Sequence, residues 1–246
     1  CAVVFGGSGG LGMASAGLMA QRGSHVVITY RSRGEQSQQF VEELQGLGYQ
    51  AQAMACDVTD RAQVDAVYAG AVKAFGRVHT VVSAGGLVFD TGPLADFRQE
   101  SFRGVIETDV VGFFNVAQAG IPVLRQGKGG AFVALSTCAT SRTVPLDALS
   151  ATPKAAVQML VRHIATEEAR HGIRANAVGP GVVDGGMVIP MMKTETRKLL
   201  EMAVEFTPLG RLASCEEIAE AVAFLASSRA AYITGQMLMV DGGLSA

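Results

Sequence analysis

Phe5-Gly6-Gly7-Ser8-Gly9-Gly10-Leu11-Gly12 follows the short apolar run Ala2–Phe5 and leads into a helical stretch over about 12–22. Where side chains are absent, the backbone can bend tightly and come close to a pyrophosphate. The helix behind it offers free N–H groups and the positive end of a dipole. Glycine also serves plain tight turns. Here the strand before, the helix after and the continuing strand–helix rhythm favour a dinucleotide site.

Working outward, 25–30 (HVVITY) is the next strand candidate, and Phe40, Val41, Leu44 and Leu47 mark one face of a helix ending at Gly48. Residues 50–56 alternate, and Val64, Val67, Ala71, Val72 and Phe75 stripe a further helix before Gly76. The strand series continues through 78–83, 131–136, 174–178 and Met237–Val240. Helices are expected around 101–124, 153–171 and 216–225. No linker or repeat interrupts the alternation, which predicts an α/β fold: one Rossmann-like, doubly wound parallel sheet flanked by helices, a single domain over 1–246. The Met-rich and charged stretch 187–213 is the least regular part. It reads either as a flap over a pocket or as a surface helix pair.

The chain has 246 residues, with 30 glycines, no tryptophan and four tyrosines, at positions 30, 49, 68 and 232. Charged residues make up 17% and hydrophobic ones 49%, which excludes intrinsic disorder. A net charge of −2 supplies no basic field for nucleic acid, and scarce aromatics argue against base stacking. Cys1, Cys56, Cys138 and Cys215 are widely spaced, and no histidine stands at metal-binding spacing, so no metal site is expected. No apolar run reaches the length of a membrane span, and no signal peptide is visible. A cytoplasmic chain with a small-molecule substrate, and neither nucleic acid nor membrane as partner, is the expectation.

About twenty residues past the glycine loop, an NAD site usually carries an acid for the ribose hydroxyls. The sequence there is Tyr30-Arg31-Ser32-Arg33, with no acid before Glu35. Arginine pairs bidentately with a 2′-phosphate, which favours NADP(H) over NAD(H). Two solvated surface arginines are the other reading.

Further motifs extend the pattern. Asp57-Val58 follows the third strand, Val82-Ser83-Ala84-Gly85 the fourth, and Pro180-Gly181 lies in NAVGPGVVDGGM. PLGR stands at 208–211 and ITGQMLMVDGG at 233–243. Over nearly its whole length the chain resembles the short-chain dehydrogenase/reductase superfamily. In its glycine motif Phe5 replaces threonine, while Gly6, Gly10 and Gly12 are kept. The resemblance implies cofactor contacts at Gly6, Ser8, Gly10, Leu11, Gly12, Arg31, Ser32, Asp57, Val58, Ala84, Gly85, Lys154, Pro180, Gly181 and Val183. It also implies a homotetramer, packed through helices near 101–124 and 153–171 and through the run 233–240. Amphipathic helices and an apolar tail are equally compatible with intramolecular core.

The superfamily's catalytic Asn, Ser and YxxxK set is altered. Lys154 fits the lysine, but Ser150 stands at the tyrosine position, Thr137 (beside Ser136) at the serine and Asp109 at the asparagine. An enoyl-reductase pattern with tyrosine seven before the lysine finds Asp147. The threonine after the Pro-Gly turn corresponds to Gly185. A phenol can be tuned toward neutrality by an ammonium, whereas the aliphatic alcohol of Ser150 is far less acidic and shorter. Thr137 keeps the hydroxyl. Asp109 either pairs with Lys154 or is an exposed helix acid. Lys154 either holds the nicotinamide ribose or is solvated.

Pro153 predicts a helix starting there, with Thr152 as cap and 140–152 as loop. Val88, Phe89, Val144, Leu146, Val188 and Met191 either line an apolar substrate pocket or pack as core. Two functions stand. One is an NADP(H)-dependent oxidoreductase of a small carbonyl or enoyl substrate with an altered proton donor, with Thr137, Ser150, Lys154 and Asp109 as its chemistry and Ser150 or Asp147 able to relay a proton. The other is a cofactor-binding protein without turnover, a sensor or silent subunit.

Overall fold

Unbroken burial identifies the innermost strands. In β1 (Ala2–Phe5) every residue is buried, and in β2 (Val26–Tyr30) all but the last. A strand buried on both faces reads as a continuous apolar run because helices cover both sides of a parallel sheet. β3 (Ala51–Ala55), β4 (Thr80–Ser83), β5 (Gly130–Leu135) and β6 (Ile173–Pro180) follow. Short β7 (Val183–Asp184) and β8 (Ala213–Ser214) form a two-stranded sheet of their own, and β9 (Met237–Val240) closes the series. The main sheet has seven parallel strands in the order β3-β2-β1-β4-β5-β6-β9. The computed structural model describes residues 1–86, 91–185 and 197–246.

The alternation of β1 divides the core. Val3 and Phe5 face a layer with Val67, Tyr68, Val116 and Phe132, while Ala2 and Val4 face another with Ala16, Ile28, Val41 and Val222. The first layer is built by α3 (Arg61–Phe75), α5 (Gly112–Gln126) and α6 (Ala148–Glu168). The second is built by α1 (Gly10–Gln21), α2 (Gly34–Gly46) and the helix Cys215–Ala226. Tyr68 belongs to the first layer, its hydroxyl donating to the Val116 carbonyl at 2.8 Å.

The region expected as one helix over 101–124 consists of α4 (Gln99–Val105), a π-helical turn (Ile106–Val111) and α5. The expectation for Pro153 is corrected: α6 begins at Ala148 with Asp147 at its N-cap, and Pro153 lies inside it. Pro153 has no N–H to offer the Leu149 carbonyl. Its ring is buried against the core, and that packing outweighs the local preference. Thr152 is therefore a helical residue and caps nothing. Of the stretch 187–213, positions 187–196 lie outside the described residues. The rest holds the helix Arg197–Phe206 and the first residue of β8.

None of the described helices is long and apolar enough to cross a membrane, and no metal-binding cluster occurs among the described residues. The cysteines are free thiols, three of them buried. Burial, with the neighbouring Asp57, pushes Cys56 up to about 11, and burial, with Asp241, does the same to Cys138. At pH 8 about one in a thousand of either is the reactive thiolate. Native protein is expected to alkylate at these two positions at least tenfold more slowly than protein unfolded in urea, read by mass spectrometry after iodoacetamide. Equal rates would contradict their burial.

Candidate functional site

β1 pairs with both β2 and β4, so the strand order reverses between β1 and β4 and opens a crevice beyond their carboxyl ends. Gly6 and Gly85 form the floor of this crevice. Gly6 has φ +74°, and a Cβ there would lie 2.4 Å from the Gly85 nitrogen. Only glycine allows both the left-handed turn and the backbone contact. The Gly6 N–H donates to the buried Thr29 hydroxyl at 3.1 Å, which fixes the loop to the end of β2. Gly10, Leu11 and Gly12 then make the first turn of α1.

That turn is left open. Gly9 at its N-cap makes no side-chain bond, and no acid stands in the first turn. By contrast Asp60 caps α3, and Ser214 with Glu217 forms a capping box on Cys215–Ala226. An open turn above a close-packed glycine loop fits a pyrophosphate. At the loop's rim the Arg33 guanidinium donates to the Ser8 carbonyl at 3.4 Å, with Arg31 and Ser32 exposed beside it. These groups fit a 2′-phosphate.

A second set of the expected residues lies past β3. One carboxylate oxygen of Asp57 accepts from both the Thr59 N–H (3.0 Å) and hydroxyl (2.8 Å), which makes the loop rigid. Val58 is pressed by α5: a Cβ at Gly112 would lie 2.6 Å from its side chain. The Asn115 amide donates to the carbonyls of Val58 and Thr59 at 3.0 and 3.2 Å.

At the far end, the Lys154 ammonium lies 3.1 Å from the Asp109 carboxylate and donates to the Gly85 carbonyl at 3.2 Å. Gly86 runs alongside, and a Cβ there would lie 3.7 Å from both charged groups. Asp109 is 7% exposed and sits on the π-helical turn, so it is a buried counter-charge and not a surface acid. Thr137 is partly exposed, and its hydroxyl accepts from the Ala139 N–H at 3.2 Å, capping the turn Cys138–Thr140. Behind it the Gln158 amide donates to the Ser136 hydroxyl at 2.7 Å and the Thr140 hydroxyl at 2.5 Å.

One turn before Lys154 stands Ser150, whose N–H donates to the carbonyl of Asp147 at the helix N-cap at 3.1 Å. Burial pushes Asp147 up to about 6, against the downward pull of the Ser150 hydrogen bond. Because this folded-state value exceeds that of the unfolded chain, the folded state binds the proton more tightly. Asp147 thus makes the protein less stable as pH rises from about 4 to 6.

The remaining expected residues fall around this crevice or beside it. The Gly181 N–H donates to the Val240 carbonyl at 3.1 Å, holding the Pro180-Gly181 turn against β9. Val183 is buried and pairs with Ala213. At Gly185 a Cβ would lie 2.6 Å from the Cys215 sulfur, with φ +155°, which explains glycine where threonine was expected. Val144 and Leu146 are exposed, so neither packs as core; Val88, Phe89, Val188 and Met191 lie outside the described residues. Asn115, Thr29, Gln158 and Arg33 escaped the sequence reading as positioning groups. Gln158 carried a local signal, four residues beyond Lys154 on one helix face. Asn115 and Thr29 act over separations of 57 and 23 residues, which no local pattern reveals.

Comparison with known proteins agrees with this geometry. Residues 6–245 match the family described as Enoyl-(Acyl carrier protein) reductase. The 3-oxoacyl-[acyl-carrier-protein] reductase FabG of Thermotoga maritima is 33% identical over 242 residues, 98% of this chain and 96% of the relative. The cis-4-hydroxycyclohexanecarboxylate dehydrogenase of Sinomonas cyclohexanicum is 34% identical over 245 residues, 100% of this chain and 96% of the relative. A solved short-chain type dehydrogenase/reductase from Mycobacterium ulcerans superposes with a TM-score of 0.92 at 27% identity, covering 99% of this chain and 89% of that one. With its open glycine turn, reversed strand order and lysine-bearing helix, the chain belongs to the short-chain dehydrogenase/reductase superfamily of nicotinamide-dependent oxidoreductases.

Proposed function

We propose that this protein is an NADP(H)-dependent reductase of small carbonyl or enoyl compounds in which tyrosine is not the proton donor. The observation that carries the reading is the Lys154–Asp109 pair at the crevice beside Gly85 and Gly86. It keeps a cation where a nicotinamide ribose would lie, with Ser150 one turn before Lys154 on α6 and Thr137 just past the end of β5. Bound reduced nicotinamide supplies hydride; the protein supplies position and charge. Lys154 orients the ribose, Asp109 holds the ammonium in place, and Thr137 offers its hydroxyl to the substrate. Arg31, Ser32 and the Ser8–Arg33 contact favour the 2′-phosphate.

The names of the matched family and of the FabG relative point to acyl thioesters. Suitable probes are the β-keto and α,β-unsaturated N-acetylcysteamine thioesters, acetoacetyl and crotonyl. NADPH is expected to bind at least tenfold tighter than NADH by fluorescence titration, and Arg31→Ala to remove most of that difference. Tighter NADH binding would overturn the cofactor assignment. Separate replacement of Lys154 and Thr137 is expected to lower turnover in each case, and unchanged turnover in both would reject this site. The missing phenol also supports a second reading, a binder without turnover. Reduction of either thioester well above buffer defeats it.

The same reading includes a cytoplasmic homotetramer. The π-helical turn, α5 and α6 expose an apolar groove lined by Val110, Phe114, Ala156, Met159 and Leu160, with Phe114 46% and Met159 51% exposed. β9 is an edge strand whose Leu238 is exposed. Both features are of the kind that association covers. Light scattering giving a monomer would contradict the assembly.

A further inference from the structure

A cation taken out of water ordinarily comes with a partner of opposite charge, and here the partner is brought in from a separate element. Lys154 lies on α6 and Asp109 on the π-helical turn Ile106–Val111. Ammonium and carboxylate meet at 3.1 Å, with side chains only 15% and 4% exposed. The ammonium also donates to the Gly85 carbonyl at 3.2 Å, and Gly85 packs on Gly6 in the crevice floor. A Cβ at Gly86 would lie 3.7 Å from the ammonium and from one carboxylate oxygen alike. Both charges therefore border the chain as it leaves β4 at the crevice.

The carboxylate is fixed from both ends of its turn. Val105 before it is buried, and Gly112 after it is pressed on Val58, where a Cβ would lie 2.6 Å from the side chain. A charge so held and so buried is screened little by water or salt, and it need not reorient when a ligand's charge changes. The superfamily's lysine stands beside an uncharged asparagine and the phenol it tunes. In this chain Ser150 replaces the phenol and Asp109 the asparagine. A lone ammonium would leave this end of the crevice with a net positive charge; the pair leaves it neutral.

The two forms of a nicotinamide cofactor differ by one charge. The reduced ring is neutral, and loss of hydride turns it into a cation, so charged groups beside the ring select between the forms. Resting on the NADP(H) reductase reading above, we propose that Asp109 sets the preference of this site between oxidised and reduced cofactor: its buried carboxylate cancels the Lys154 charge and so favours the cationic ring. At an effective dielectric of about 20, one unit charge changes the affinity of another about tenfold even at about 12 Å. Asp109 is thus expected to raise the affinity for NADP⁺ relative to NADPH by about tenfold over a neutral residue. Product NADP⁺ then competes with NADPH, and turnover follows the ratio of the two as well as the amount of NADPH. A purely structural role, holding Lys154 in place, would change both affinities together and leave their ratio alone.

The test is isothermal titration calorimetry with NADP⁺ and with NADPH, read as the ratio of the two dissociation constants. In Asp109→Asn the ratio is expected to move about tenfold toward NADPH. In Asp109→Asn/Lys154→Met the site is neutral again, and the ratio should return close to its starting value even where both affinities fall. If Asp109→Asn does not fold, Lys154→Met decides at about pH 9, where a buried carboxyl is ionised: the carboxylate left alone should move the ratio toward NADP⁺. A ratio unmoved by Asp109→Asn, or by Lys154→Met in its place, overturns the proposal. Should the unaltered protein then still reduce either thioester with NADPH, the reductase reading stands without it. If the unaltered protein binds neither cofactor, the reductase reading fails and takes this one with it.

Discussion

Gly6→Ala is expected to destabilise the protein by about 3–5 kcal/mol, a fall in Tm of about 6–20 °C for a chain of this size. Two costs add. A non-glycine residue at φ +74° is strained by about 1–2 kcal/mol, and the new Cβ would lie 2.4 Å from the Gly85 nitrogen. The obstacle is backbone on both sides, so no rotamer change relieves it. Gly9→Ala provides the control in the same loop. Gly9 has φ −88°, and a Cβ there meets the Gly6 carbonyl oxygen at an ordinary 3.6 Å. Its cost is expected at about 1 kcal/mol or less. Thermal melts of the two variants decide the matter, and equal shifts would show that the Gly6–Gly85 contact is not what holds the loop.

The second large effect comes from Lys154→Ala, expected to cost about 3 kcal/mol with a fall in Tm of about 6–12 °C. Removing one member of a buried ion pair leaves the other charge in a medium that solvates it poorly. Asp109 and Lys154 have side chains only 4% and 15% exposed, so solvent gives little relief. The double variant Asp109→Asn/Lys154→Met is expected to recover most of the loss, because both charges are then removed together. This stability loss is measurable without cofactor or substrate. A Lys154→Ala variant that melts like the unaltered protein would show that the pair carries no structural weight.

Much of this was legible in the residues. The glycine loop, the strand–helix rhythm and the motifs from Asp57 to the C-terminus placed the fold and the line of the crevice. They did so because each is a local pattern with a local physical cause. The failures have causes too. Pro153 looked like a helix start because local preference puts proline there. Burial of its ring and the turn imposed by Leu146 set the boundary five residues earlier. Whether Asp109 was a surface acid or a counter-charge was undecidable from sequence, since the answer depends on a lysine 45 positions away. Asn115 and Thr29 were unreadable for the same reason: each fastens a loop that belongs to a different strand.

The wide turn Ile106–Val111 carries a last consequence. A π-helical turn holds one residue more than an α-helix would place on the same path. In a regular helix one residue is worth about 100° of rotation. Deleting one residue of that turn before Asp109 would let the segment close into a regular helix along the same path, yet would turn the Asp109 carboxylate away from Lys154. The counter-charge is therefore held by register as well as by residue type. Alignments that admit a one-residue gap between 106 and 111 would match every letter and still misplace the charge.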